Sequence, residues 1–340
     1  MTLRLVLAAS LVLALASAAF AQSRTGPADT FRQLEEILPT PNEQRTASGA
    51  PGRSYWQQRA DYDMDVELDD VKQRIVGKET VTYFNQSPDA LTYVWLQLDQ
   101  NLFRKDSDSN LTQTAPSLDK PTFQTLDTLV NRDFDGGYQI AAVKDAAGQP
   151  LPHIISKTMM RVDLPVPLAP GKNVVFSVEW SYNINNARRV GGRSGYEFFP
   201  KDGNYIYEIA QFFPRLAAYN DVSGWQHKQF LGSGEFTLEF GNYTVRITAP
   251  DDHVVGATGV LQNPKDVLSA AQLQRLEQAR VSTMPVLIVT PEEAAAAEAG
   301  KPAGKKTWVF HADNVRDFGF ASSRKFIWDA QGHNVDDNPV

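Results

Sequence analysis

The chain has 340 residues, 33 Lys and Arg against 40 Asp and Glu, a formal charge of −7 and no cysteine. Its length allows a sizeable core in one large or two medium domains, and 42% hydrophobic residues is ordinary for a globular protein. Zero cysteine excludes disulfides, thiolate zinc sites, iron–sulfur clusters and cysteine nucleophiles, and the acidic balance argues against a nucleic-acid partner.

Residues 1–21 read as a signal peptide. Arg4 supplies the positive start, an apolar run follows from Leu5 to Ala18, and Ala19-Phe20-Ala21 gives the small-x-small cleavage pattern. The run is shorter than the roughly 20 apolar residues a membrane span needs. The mature protein is therefore expected to be exported, periplasmic or extracellular, with no membrane attachment after cleavage. Residues 22–54 are rich in Pro, Gly, Ser, Thr and charge, and read as an extended arm with a short helix around Phe31–Ile37.

From Tyr55 the pattern changes. Tyr62 to Leu68 alternates apolar side chains with acids, which predicts a half-buried strand. A turn at Asp69–Lys72 and a second strand, Ile75 to Tyr83, make a hairpin. Further period-2 runs are Leu91–Leu98, Tyr138–Val143, Phe176–Tyr182, Phe236–Phe240 and Tyr243–Ile247. Tyr205 to Pro214 reads as one strand carrying aromatics, with Asp221 and Trp225 in the loop beyond it. Gly- and Pro-rich turns between these runs predict a mainly β domain of antiparallel strands. One helical insert interrupts it, Pro264 to Arg280, with Val267, Leu268, Leu273 and Leu276 at helical spacing. Glu292–Ala299 reads as a short exposed helix or loop. At Lys305 the texture changes again: Thr307–Phe310 is a strand, and Asn314–Ala321 reads as a strand-to-helix connection into a new domain.

Few residues carry obvious chemistry. The five histidines (His153, His227, His253, His311 and His333) include no pair at i, i+4, so the helical HExxH zinc site is absent. There is no G-x-S-x-G, no S-x-x-K and no phosphate-cradling P-loop. Asp61, Asp63, Asp65, Glu67 and Asp69 share one strand face, where such acids either solvate the sheet or bind calcium. Gly191-Gly192-Arg193-Ser194-Gly195 is a basic glycine loop, either a plain loop tip or an anion cradle. Gly232-Ser233-Gly234 is a glycine turn. Gln211 stands among large apolar neighbours, and a buried amide without partners costs about 1–3 kcal/mol. It is either a structural bracket for the following loop or a substrate-binding group.

Several stretches resemble the aminopeptidase N family of zinc metallopeptidases, of the gluzincin type. Tyr55-Trp56-Gln57-Gln58-Arg59-Ala60-Asp61-Tyr62 resembles the start of that family's N-terminal β-domain, and Leu91 to Asn101 its third-strand region. Ala210 to Arg215, with Tyr219-Asn220-Asp221 after it, resembles the loop that faces the active site. His311 to Phe318 resembles the join to the catalytic domain. The resemblance implies a saddle-like antiparallel β-sandwich domain with a helical insert over residues 55–306. Residues 307–340 would be the incomplete start of a thermolysin-like α/β catalytic domain. In the family, an HExxH helix and a distant Glu hold zinc, which lowers the pKa of a bound water while the motif's Glu acts as general base. None of these elements is in this sequence, so this chain is expected to bind no zinc and to be inactive by itself. Gln211 and Phe213 would line the substrate channel of a complete enzyme. Many relatives carry Gln or Glu at the position of Phe213, to hold the substrate's free amine, and here the pattern departs. The partners implied are a peptide substrate in the complete enzyme and docking to a missing catalytic domain. The alternative is a stand-alone β-rich binding or scaffold protein derived from that fold.

Overall fold

The computed structural model describes residues 41–340 apart from 113, 115–118, 131–133, 135, 235–236, 302, 336–337 and 340. The signal peptide and the helix expected at Phe31–Ile37 lie outside the described residues. The chain divides into two compact units, 1–55 and 56–340. In the first, a bridge between Arg45 and Pro51 closes a small turn, and the Arg45 guanidinium lies over the Tyr55 ring.

The second unit is mainly β. Its strands, in chain order, are β1 (Arg59–Asp69), β2 (Arg74–Phe84), β3 (Leu91–Gln97), β4 (Gln139–Asp145), β5 (His153–Ser156), β6 (Met159–Leu168), β7 (Asn173–Asn183), β8 (Gly195–Phe199), β9 (Asn204–Ile209), β10 (Arg215–Leu216), β11 (Tyr219–Asn220) and β12 (Gly224–Trp225). They continue as β13 (Gly241–Pro250), β14 (Val254–Ala257), β15 (Val260–Leu261), β16 (Val286–Val289), β17 (Lys305–Val315), β18 (Phe320–Ser323) and β19 (Trp328–Ala330). The largest sheet has the order β15-β17-β13-β1-β2-β7-β4 and is antiparallel except where β1 and β13 run parallel. Two four-stranded sheets, β10-β3-β6-β5 and β14-β18-β9-β8, accompany it.

Alternation decides which face is buried. In β1, Tyr62, Met64, Val66 and Leu68 point inward, while Asp63, Asp65 and Glu67 face solvent. The inward faces of β2, β7, β13 and β17 supply Val81, Trp180, Tyr243 and Trp308 to the same hydrophobic cluster. The predicted hairpin is present, with Val66 opposite Gly77 in its register.

The helical insert is also present. Short helix α1 (Pro264–Val267) is followed by α2 (Ala270–Ala279), and α3 (Pro291–Gly300) covers the expected Ala/Glu-rich helix. Capping boxes start the two longer helices: Ser269 with Gln272, and Thr290 with Glu293.

Three expectations need correction. Within Phe236–Phe240, residues Thr237–Glu239 are not strand and Phe240 makes only an isolated bridge to Arg59. Regular pairing with β1 begins at Tyr243, opposite Tyr62, and at Gly241 before it a Cβ would sit 1.7 Å from the Ala60 carbonyl oxygen. The strand expected to reach Pro214 stops at Ile209, because Gln211 turns the chain with φ 52°. The strand-to-helix connection after Asn314 is instead strand to strand. Asn314 takes φ 51°, Phe318 stacks on Tyr243, and β18 pairs with β9 and β14. The line drawn between 306 and 307 falls inside β17, which pairs continuously with β13 from Lys305 to Ala312.

Candidate functional site

The three stretches singled out for chemistry meet at one place. Gln211, the basic glycine loop (through Gly192, Arg193 and Ser194) and the glycine turn (through Gly232) line a cavity of about 110 Å³, with Asp99, Gln100 and Phe230 completing it. A groove of about 400 Å³ shares Leu102, Phe103, Gly192 and Gly232 with that cavity. Gly192 is required where it stands: its φ is 104°, and a Cβ would lie 2.7 Å from the Phe103 ring.

The chain from Ala210 to Leu216 is held from all sides. The Gln211 carbonyl accepts from Gln100 Nε2 at 3.0 Å and from the Tyr138 hydroxyl at 3.1 Å. The Phe212 carbonyl accepts from Trp180 Nε1 at 3.0 Å, and the Leu216 amide donates to the Tyr62 hydroxyl at 2.9 Å. With its carbonyls bonded to side chains, this segment has no need of a sheet partner until β10. A non-glycine residue in the left-handed region costs about 1–2 kcal/mol, and such a conformation persists only where the surroundings over-determine it.

Phe213 is fully buried. Its ring packs edge-on against Tyr62 at 5.3 Å and Tyr243 at 6.0 Å, and Phe212 packs edge-on against Phe320. Of the two residues expected to line a substrate channel, Gln211 therefore borders open space and Phe213 anchors the loop beneath it. The Gln211 side chain makes no hydrogen bond among the described residues.

Beneath the loop lies a buried ion cluster that sequence reasoning missed. Arg215, 5% exposed, donates through Nε and Nη2 to Asp99 Oδ2 at 3.1 and 2.8 Å, and through Nη1 to Asp317 Oδ2 at 2.6 Å. Burial works against the Arg215 charge, but the two carboxylates outweigh it and raise its pKa. Burial raises the Asp99 carboxyl, with Arg215 pulling the other way. Asp99 sits in the run Leu98-Asp99-Gln100-Asn101 directly after β3, and all three polar residues are buried. Consecutive polar residues closing an apolar strand were the available signal.

Glu79 is the second missed group. It is fully buried on β2, and neither carboxylate oxygen has a hydrogen-bond partner. Burial raises its pKa well above the ordinary carboxyl value.

The most apolar large cavity lies elsewhere. It measures about 470 Å³ and is bordered by Val255, Leu276, Phe310 and Trp328. Arg280 is its one ionisable lining group, so the convergence of polar side chains places the candidate site at Gln211 instead.

The histidines stand apart from this site and from one another. His153 and His227 each contact a backbone carbonyl two residues back, and His311 contacts Thr244 and Asp313. His253 meets Ser322 in the interior, where burial, with Arg324 and Lys306 nearby, pushes its pKa down to about 3. Among the described residues no three His, Cys, Asp or Glu side chains come together to hold a metal ion. The residues present do not fit zinc. The acids of β1 meet cations: Asp61 pairs with Arg59, Asp63 and Asp65 with Arg246, and Glu67 with Lys305.

No family model matches the chain, and no curated protein matches it in sequence. Solved structures do. The M1 zinc metallopeptidase of Deinococcus radiodurans is 13% identical, with a TM-score of 0.38 over 80% of this chain and 43% of that one. A point mutant of the Deinococcus radiodurans enzyme, bound to a Tyr-Ser-Ala substrate, is 13% identical, with a TM-score of 0.40 over 81% of this chain and 44% of that one. A mutant two-domain M1 zinc metallopeptidase bound to L-tryptophan is also 13% identical, with a TM-score of 0.39 and the same coverage as the substrate complex. The chain thus spans less than half the length of the structures it matches. At 13% identity and TM-scores of 0.38 to 0.40, these similarities assign neither family nor activity.

Proposed function

We propose that the chain is the N-terminal portion of an exported aminopeptidase N-like zinc metallopeptidase, a β-rich body that presents the Gln211 loop to a peptide and does not hydrolyse it. The observation that carries this reading is the loop itself. Ala210 to Arg215 resembles the family's loop, and here it is a strained segment held by donors from Gln100, Tyr138 and Trp180. A segment fixed this way suits positioning a ligand, since binding then orders little that was mobile.

In this reading Gln211 offers its side-chain amide to the peptide, and Phe213 acts as a positioning residue through its burial. In the complete enzyme zinc would be ligated by residues other than those described, among which no three His, Asp or Glu side chains come together. Residues 307–340 then lead toward a catalytic domain, and residues 1–21 are removed on export.

The test is metal analysis and aminopeptidase turnover of the purified chain. The expected result is substoichiometric zinc and no turnover, with the exported product beginning at Gln22 by mass spectrometry. Stoichiometric zinc accompanied by turnover overturns the reading.

A further inference from the structure

We infer that the apolar cavity bordered by Leu276 and Trp328 is a binding site for a free alkyl carboxylate, its chain among the apolar walls and its head on Arg280. The inference stands apart from the peptidase reading. The walls come from β14, β15, α2, β17 and β19, so elements distant in sequence converge on one chamber. Val260 and Ile327 line it yet are 64% and 53% exposed, apolar area that an alkyl chain would take out of water. Gly256 lines it from within β14. Its φ is not positive, so no left-handed backbone requires a glycine, and a Cβ there would meet no heavy atom within 4 Å. A strand glycine beneath open space leaves room for a ligand to approach the backbone.

The chemistry of the occupant follows from the lining. Apolar walls with a cation as their single ionisable group select an anion with an apolar body. Arg280 Nε lies 3.5 Å from Glu277 Oε2, with both side chains more than half exposed, and a pair of that kind holds the guanidinium weakly. Its remaining donors form a fork that matches a carboxylate. One guanidinium balances one negative charge, whereas a dianionic phosphate would bring excess charge against apolar walls. About 470 Å³ lies within the range of about 300–1,000 Å³ usual for small-molecule sites, which suits a medium-length chain.

The experiment is calorimetric titration of the purified chain with hexanoate, octanoate and decanoate below their micelle concentrations, and with octanol and octylammonium. Binding should be saturable, and each added methylene should tighten it about fourfold. Octanoate should bind about tenfold tighter than octanol, and octylammonium more weakly than either. Arg280→Gln should bring octanoate down to the octanol level and leave octanol unchanged. Gly256→Leu fills the open space and should abolish binding of both with the urea midpoint retained; if that variant does not fold, Arg280→Gln decides alone. No saturable binding, equal affinity for octanoate and octylammonium, or no gain with chain length overturns the inference. So does an unchanged octanoate affinity in Arg280→Gln or in folded Gly256→Leu.

Discussion

Along the outer face of β1 a row of acids stands in or near water, with Asp61, Asp63, Asp65 and Glu67 beside cations of β1 itself, β13 or β17. Beneath the Gln211 loop, Asp99 and the partly exposed Asp317 share one buried guanidinium, and Glu79 has no hydrogen-bond partner among the described residues. The same residue types answer to opposite rules in the two places. On β1 the side chains of Asp63 and Asp65 are 55% and 67% exposed, and their pairing with Arg246 gains little over hydration. Under the loop, hydration is gone, so every unpaired charge or orphaned oxygen costs several times more. The difference explains why the loop holds a strained residue in place while the row of acids only dissolves its sheet.

The largest expected effect breaks the buried cluster. Arg215→Met strands the Asp99 charge and should destabilise the chain by about 3–5 kcal/mol in urea unfolding. A loss below about 1 kcal/mol would place the cluster with the surface pairs and erase the contrast.

Glu79 tests the other side of the comparison. Its folded pKa is raised, so the unfolded chain ionises first as pH climbs. Stability is then fully present below the ordinary carboxyl pKa and falls above it by about 1.4 kcal/mol per pH unit, until the folded pKa is reached. Glu79→Met should remove that decline and gain about 1–3 kcal/mol at neutral pH, because no oxygen is left unsatisfied. Glu239 should show a bounded version. Burial raises its pKa to about 7, partly offset by the Tyr219 amide that donates to it. Glu239→Gln should flatten stability only between about pH 4.5 and 7. Urea midpoints across pH 4–9 check both, and identical profiles for the two variants would refute the assignment.

Gln211→Gly should relieve the left-handed backbone and change stability by only about 1 kcal/mol, toward greater stability, with the unfolding slope unchanged. The smallest effect belongs to the surface. Asp63→Ala should cost less than about 1 kcal/mol, and less still in high salt.

Much of the fold is legible in local pattern. The hairpin of β1 and β2, the strand at Phe176–Tyr182, and the helix with its Ser269 cap all rest on side chains within a few residues of one another. Local periodicity failed where a distant group decided the outcome. Phe236–Phe240 alternates like a strand, yet β13 begins only at Gly241, where a Cβ would meet the Ala60 carbonyl oxygen. Tyr205–Pro214 reads as one strand, yet it turns at Gln211, because Gln100 and Tyr138 capture the carbonyl there. Phe213, read as lining the substrate channel of a complete enzyme, is here enclosed by Tyr62 and Tyr243, residues from β1 and β13.

Composition and alternation by themselves determined that the chain is mainly β, that it lacks thiolate and HExxH metal chemistry, and that its acids line one strand face. Those properties follow from residue type and from a two-residue repeat, both of which are local. Tertiary structure decided which carboxylates lost their water and where the glycine loops met Gln211. Asp99 and Arg215 lie far apart along the chain, and desolvation acts on whatever the folded sheets bring together, whatever their order in sequence.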